Sequence, residues 1–265
     1  MELREQALRV LCEPDPRAKA AQARALFAQA RQLPLSPTPP VAAGPLPGRP
    51  ERPRLVHPAR VPHRSAASPE GLAALLHAIA HIEFNAINLA LDAAWRFEGL
   101  PEDFHLDWLR VAAEEALHFT LLADHLASLG HGYGDFEAHD GLWTMCEKTR
   151  DDVVARMALV PRTLEARGLD ATPRIQAKLR RAGTPAALRA VEILDVILRD
   201  EVGHVAIGNH WYRLLCERQG LDPVAHYAVL AQRHGAPRLQ PPFNLEARRR
   251  AGFTEPELES LEGKS

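Results

Sequence analysis

Twice in this 265-residue sequence a glutamate stands three positions before a histidine within an apolar stripe: Glu115 with His118, and Glu201 with His204. On a helix, positions i and i+3 project from one face, so a carboxylate and an imidazole can reach the same ion. Glu115 shares its stripe with Trp108, Val111, Ala112, Phe119 and Leu122, and Glu201 shares its own with Leu194, Ile197, Val205 and Gly208. Two more glutamates point the same way. Glu83 sits among Leu76, Ile79, Ala80, Ala86, Ile87 and Ala90, and Glu165 follows Val154, Ala158 and Pro161. Ionised carboxylates in a helical core cost many kcal/mol without partners. Two divalent cations would balance four carboxylates, and two neutral imidazoles would complete the shells. A carboxylate-rich donor set with one nitrogen per metal suits iron, with manganese or a mixed pair as the alternative.

With 21 Glu and 13 His in 265 residues, about one Glu-x-x-His is expected by chance, so one match alone decides nothing. A third match, Glu102 with His105, falls at the expected exposed start of a helix and reads as that chance event. Two matches on inward stripes of separate helices, each preceded by a helix with a buried glutamate, carry far more weight. On the third helix Glu147, Asp151 and Asp152 compete with Glu165 for the ligand role. His77, His81 and His125 read as hydrogen-bonded core histidines rather than ligands. Asp195 and Asp200 read equally as groups that orient imidazoles or as salt-bridged acids.

These residues need rigid elements to hold them. Ser68-Pro69-Glu70 is a helix start, with a cap, a proline at the first position and an acid in the first turn. That helix runs to about Phe97 and stops at Gly99. Pro101-Glu102-Asp103 opens a second, ending at Gly130. A third covers some part of Leu142 to Arg167 and is expected to stop at Gly168. A minor helical piece follows near Ile175 to Arg181. Thr184-Pro185 then opens a fourth long helix, which continues to about Arg218 and ends at Gly220. Four long helices without an alternating strand pattern predict an all-α bundle over residues 68–220.

Two short helices are expected before Leu33. From Pro34 to Pro69, eleven prolines in thirty-six residues exclude helix or central strand and predict an extended arm, so that residues 1–67 form an N-terminal appendage. Residues 221–265 read as a tail with a short helix and a proline-punctuated, charged end.

Lys+Arg of 32 against Asp+Glu of 34 gives a net charge of −2, which makes no global case for nucleic acid or an anionic membrane as partner. Five arginines against Glu51 between Arg49 and Arg64 leave a local phosphate contact open, with a solvated linker as the plainer reading. Cys12, Cys146 and Cys216 are odd in number and far apart, which fits a reducing, cytoplasmic setting. The apolar run from Leu72 to Trp95 contains His77, His81, Glu83, Asn85, Asn88 and Asp92, a density of polar groups that argues for a water-soluble core rather than a membrane span. No Gly-rich nucleotide loop, nucleophile elbow or zinc-finger spacing is present, so dehydrogenase, kinase, hydrolase and finger readings gain no support.

The segments His81-Ile82-Glu83, Trp108 through Phe119, His139-Asp140-Gly141-Leu142-Trp143 and Arg199 through Val205 resemble a bacterial ferritin-like family of unknown function. It belongs to the di-iron carboxylate proteins, in which two helices give one Glu each and two give Glu-x-x-His. Glu165-Ala166-Arg167 adds a more distant likeness to the ferritin-like tRNA hydroxylases. The resemblance implies a ferritin-like four-helix bundle with Glu83, Glu115, His118, Glu165, Glu201 and His204 as ligands of two iron ions. It further implies dioxygen or peroxide as a reactant, and an oxidoreductase, a hydroxylase or oxidase, acting on a substrate that the family does not identify. Iron oxidation or peroxide removal without an organic substrate, and a metal-free structural bundle, remain the alternatives.

Overall fold

A computed structural model describes residues 2–62 and 68–263. Among these residues the chain is all-helical, without strands; one isolated bridge joins Leu55 and Ala138. It forms two compact units, Met1–Trp143 with Lys178–Ile193, and Thr144–Ala177 with Leu194–Ser265.

In the first unit α1 (Leu3–Leu11) and α2 (Pro16–Gln29) pack on α3 (Pro69–Arg96) and α4 (Glu102–Ser128). Helix α3 starts where its punctuation predicts: Ser68 caps it by accepting from the Gly71 N–H, and Pro69 takes the first position, where a missing N–H leaves no bond unmade. It is long and apolar enough to cross a membrane, but 78% of its most apolar window is buried inside the protein. Its carboxyl end is closed by a distant residue. The fully buried Arg4 of α1 donates through Nε to the Trp95 carbonyl (2.8 Å) and through Nη2 to the Phe97 carbonyl (2.9 Å). These satisfy carbonyls that a helix end leaves without intrahelical donors.

The proline-rich arm is extended as its composition predicts, except for one 3-10 turn (Pro58–Arg60) that the expectation of no helix missed, and it is tied down rather than loosely solvated. Lys19, fully buried, donates to the Leu11 carbonyl (3.1 Å), the Gly48 carbonyl (2.8 Å) and Asn88 Oδ1 (2.5 Å). The Trp95 indole donates to the Pro40 carbonyl (2.8 Å), and the Val56 N–H to the Ala138 carbonyl (2.8 Å). Arg49 pairs with Asp140 at 2.8 Å and Arg54 with Glu137. The last arginine of that run, Arg64, lies outside the described residues, as do residues 63–67 of the arm.

The second unit contains α6 (Val153–Leu159), a π-helical turn (Val160–Glu165), α9 (Pro223–His234), α10 (Leu245–Arg250) and α11 (Glu255–Leu261). Helix α5 (Gly141–Lys148) precedes α6; α7 (Ala166–Ala182) and α8 (Pro185–Arg218) follow the π-turn. The expected stop at Gly168 is incorrect: the chain stays helical through Gly168 and through Pro173, and ends α7 only before Gly183, whose φ is 64°. The piece expected near Ile175 to Arg181 is the end of this same helix.

The π-turn has a local cause. Pro161 has no N–H for the bond back to the Met157 carbonyl, and its ring crowds that carbonyl, so the α-helical ladder opens here. Gly208 of α8 makes room for it, since a Cβ at position 208 would stand 2.6 Å from both Cβ and Cγ of Pro161.

Candidate metal centre

In the first unit, α3 supplies Glu83 and α4 supplies Glu115 and His118, all three buried. His118 Nδ1 lies 3.2 Å from Glu115 Oε2 and 3.4 Å from Glu83 Oε2, and one ligand atom from each residue lies within 4.8 Å of the others. Adjacent donors around one ion with bonds of about 2.0–2.2 Å are separated by roughly 3–3.5 Å, so this spacing fits a shared cation. Burial pushes the Glu83 carboxyl well above the ordinary carboxylate range, and the neighbouring Glu115 charge pushes it further. A divalent cation between these two carboxylates would supply positive charge that favours the ionised form of both.

The same two helices also carry an aromatic and hydrogen-bonded cluster. Tyr133, from the glycine-rich connection after α4, packs against Phe84 and Phe119 at centroid distances of 5.5 and 5.1 Å. These rings follow Glu83 and His118 directly in sequence. The Tyr133 hydroxyl is 2.8 Å from His81 Nδ1, and His81 Nε2 faces the His139 carbonyl at 3.1 Å. Gly134 N–H donates to His77 Nε2 at 2.9 Å. His77 and His81 are therefore engaged in the core, and burial depresses both imidazoles to about 4. His125 contacts the Ala186 carbonyl at 2.9 Å. The packing of Tyr133 was not legible in the sequence, because a tyrosine in a Gly-rich loop has no periodicity to orient it.

In the second unit, Glu201 and His204 lie on α8, both buried, with Glu201 Oε1 3.9 Å from His204 Nδ1. Glu165, also buried, closes the π-turn. Three residues later, a Cβ at Gly168 would stand 4.0 Å from Cδ of Glu201, at ordinary contact distance. Of the three competitors for the third-helix ligand, Glu147 and Asp151 are exposed, and Asp152 caps α6 by accepting from the Ala155 N–H (2.9 Å). Asp200 is held by Arg199 (2.8 Å), and Asp195 accepts from Gln176 (2.7 Å). The Glu102 and His105 match departs from expectation in one respect. Glu102 is exposed, but His105 is buried, with Nδ1 2.7 Å from the Ala94 carbonyl.

The family described as "Protein of unknown function (DUF455)" matches residues 12–259. An uncharacterized protein of Haemophilus influenzae is 55% identical over 219 residues, covering 79% of this chain and 74% of its own. No solved structure matches the chain.

Proposed function

Since this chain belongs to the DUF455 family of proteins of unknown function, we propose from its own residues that it is a di-metal carboxylate protein with a ferritin-like helical arrangement. In this reading it uses iron and acts as an oxygen-dependent oxidoreductase on an organic substrate. Helices α3, α4 and α8, with the run from α6 through the π-turn into α7, are its four bundle elements. Glu83, Glu115, His118, Glu165, Glu201 and His204 are its ligands, with one Glu-x-x-His for each ion. The observation that carries the reading is the buried triad of Glu83, Glu115 and His118, two acids and one imidazole within bonding range of a single cation.

Bound iron would supply redox chemistry with dioxygen or peroxide that no side chain offers. The chain's own residues set the conditions. The carboxylates fix the charge of the centre, and the imidazoles tune each ion. The burial of Glu83, Glu115 and His118 keeps bulk water from the first-unit ligands.

The test is elemental analysis of anaerobically purified protein beside the Glu115→Ala and Glu201→Ala variants, with circular dichroism to verify folding. The expected result is two iron ions per wild-type chain, with metal reduced in both variants. Magnetic coupling between the ions would support a shared pair. Wild-type protein free of metal, or metal fully retained in both variants, would refute the reading.

A further inference from the structure

The second unit contains a cavity of about 760 Å³ built on α9, α11 and the segment 236–239. Its size falls within the range of small-molecule sites. Most of its wall is apolar, including Val224, Ala228, Ala231 and Leu261; two buried arginines, Arg162 and Arg248, also line it, together with Glu257. The two arginines are only 4% and 0% exposed.

Each of these arginines already has one acid. Arg162 Nη2 donates to Glu257 Oε1 at 2.7 Å, and Arg248 holds Asp170 through Nε at 3.1 Å and Nη2 at 2.6 Å. The pairing leaves donors over. Among the described residues no acceptor reaches Nε or Nη1 of Arg162, or Nη1 of Arg248. Tyr212, Phe253 and Tyr227 surround the Arg162 guanidinium at 4.8, 5.0 and 5.4 Å, and Phe253 also lies 5.2 Å from Arg248. Such rings stabilise the cation, but they are weak acceptors for its N–H groups. Buried guanidinium donors without acceptors are costly and rare in native proteins, and an anion is the acceptor that best satisfies them. Arg238, on the exposed stretch that lines this cavity and a neighbouring one of about 200 Å³, adds positive charge at the rim.

The geometry points to this cavity as a binding site for an amphipathic organic anion, a carboxylate or phosphate monoester on an apolar body. The head group meets the Arg162 and Arg248 side, and the body fills the wall of α9 and α11. The ordering of the wall also reflects the π-turn. A turn with more residues than an α-helical one separates Arg162 and Glu165, three apart, onto different faces, so one short segment serves both the cavity and the metal-ligand set. The site itself does not depend on the metal reading.

Isothermal titration of the full chain with decanoate, decyl phosphate and decanol tests this, before and after EDTA treatment. At least one anion is expected to bind tenfold or more tightly than decanol, equally well in both preparations. Arg238→Ala should weaken it several-fold. Ala231→Trp, which fills the cavity without touching a charge, should abolish it. Arg162→Gln should bring the anion down to the level of decanol; if that variant fails to fold, the other two still decide. Decanol binding as tightly as both anions, no saturation below millimolar concentration, unchanged binding in Ala231→Trp, or binding lost with EDTA would each overturn the proposal.

Discussion

Replacing Gly208 by alanine separates two opposing terms. In an open helix the substitution is favourable by about 0.8–1.0 kcal/mol, because glycine carries the larger backbone entropy cost. Here the new methyl would stand 2.6 Å from two carbons of Pro161, well inside van der Waals contact. Neither side yields cheaply: Gly208 is buried, and the proline ring is part of the π-turn backbone. Overpacking of this kind costs about 1–3 kcal/mol. A net destabilisation of up to about 2 kcal/mol is expected, or up to about 8 °C in Tm for a chain of this size. Urea denaturation of wild type, Gly208→Ala, Pro161→Ala and the double variant measures it as a cycle. The double variant should be more stable than the two single losses predict, since removing the ring removes the clash. Gly208 lies one helical turn beyond His204, and Pro161 lies four residues before Glu165, so iron content should fall in Gly208→Ala as well. A stabilised Gly208→Ala protein, gaining the full propensity term, would refute the reasoning, because it would mean the two segments do not touch.

Three further outcomes follow from buried or half-buried groups. His77 has a depressed pKa of about 4 from burial, with Asp135 opposing the shift, and its Nε2 accepts from the Gly134 N–H. Unfolded protein therefore takes up a proton near pH 6.5 that the native state refuses; stability is full above that pH, falls as pH drops toward 4, and His77→Asn should flatten this part of the urea midpoint profile. Gly48→Ala should cost about 3 kcal/mol or more by chemical denaturation, because its Cβ would meet the Cys12 carbonyl oxygen at 2.1 Å beside the bonds of Lys19. Glu83→Gln should raise the stability of EDTA-treated protein by about 1–2 kcal/mol near pH 7, because the glutamate must take up a proton to be buried beside Glu115 and the amide need not, and lower that of metal-loaded protein; differential scanning with and without ferrous iron reads the sign reversal.

The helices that carry Glu83, Glu115 and Glu201 were legible because their ends follow local chemistry. Ser68 and Pro69 start α3, and Gly99, Gly130 and Gly220 take φ of 70°, 79° and 65° just after their helices, which only glycine does without strain. Their inward stripes were legible too, since period 3.6 fixes which residues share a face, and all six candidate ligands are buried as that period requires. Gly168 misled because a glycine has two uses that look alike in sequence. It can supply a left-handed residue that ends a helix, or it can omit a side chain where another element must come close. Gly168 lies within α7 without a left-handed turn, so it ends nothing, and a Cβ there would make only ordinary contact with Glu201; Gly208 shows the second use, against Pro161. The arm shows the same ambiguity for proline. Composition excludes a long helix or central strand between Pro34 and Pro62, where only the 3-10 turn Pro58–Arg60 forms, but whether such a segment floats or docks depends on distant donors, here Arg4, Lys19 and Trp95, whose partners there are backbone carbonyls. Carbonyls occur at every position, so no residue pattern marks the ones that will be used. Local signals therefore define the elements and the faces that hold the carboxylates. The close approaches that fix Glu165, Arg162 and Tyr133 arise only when those elements meet.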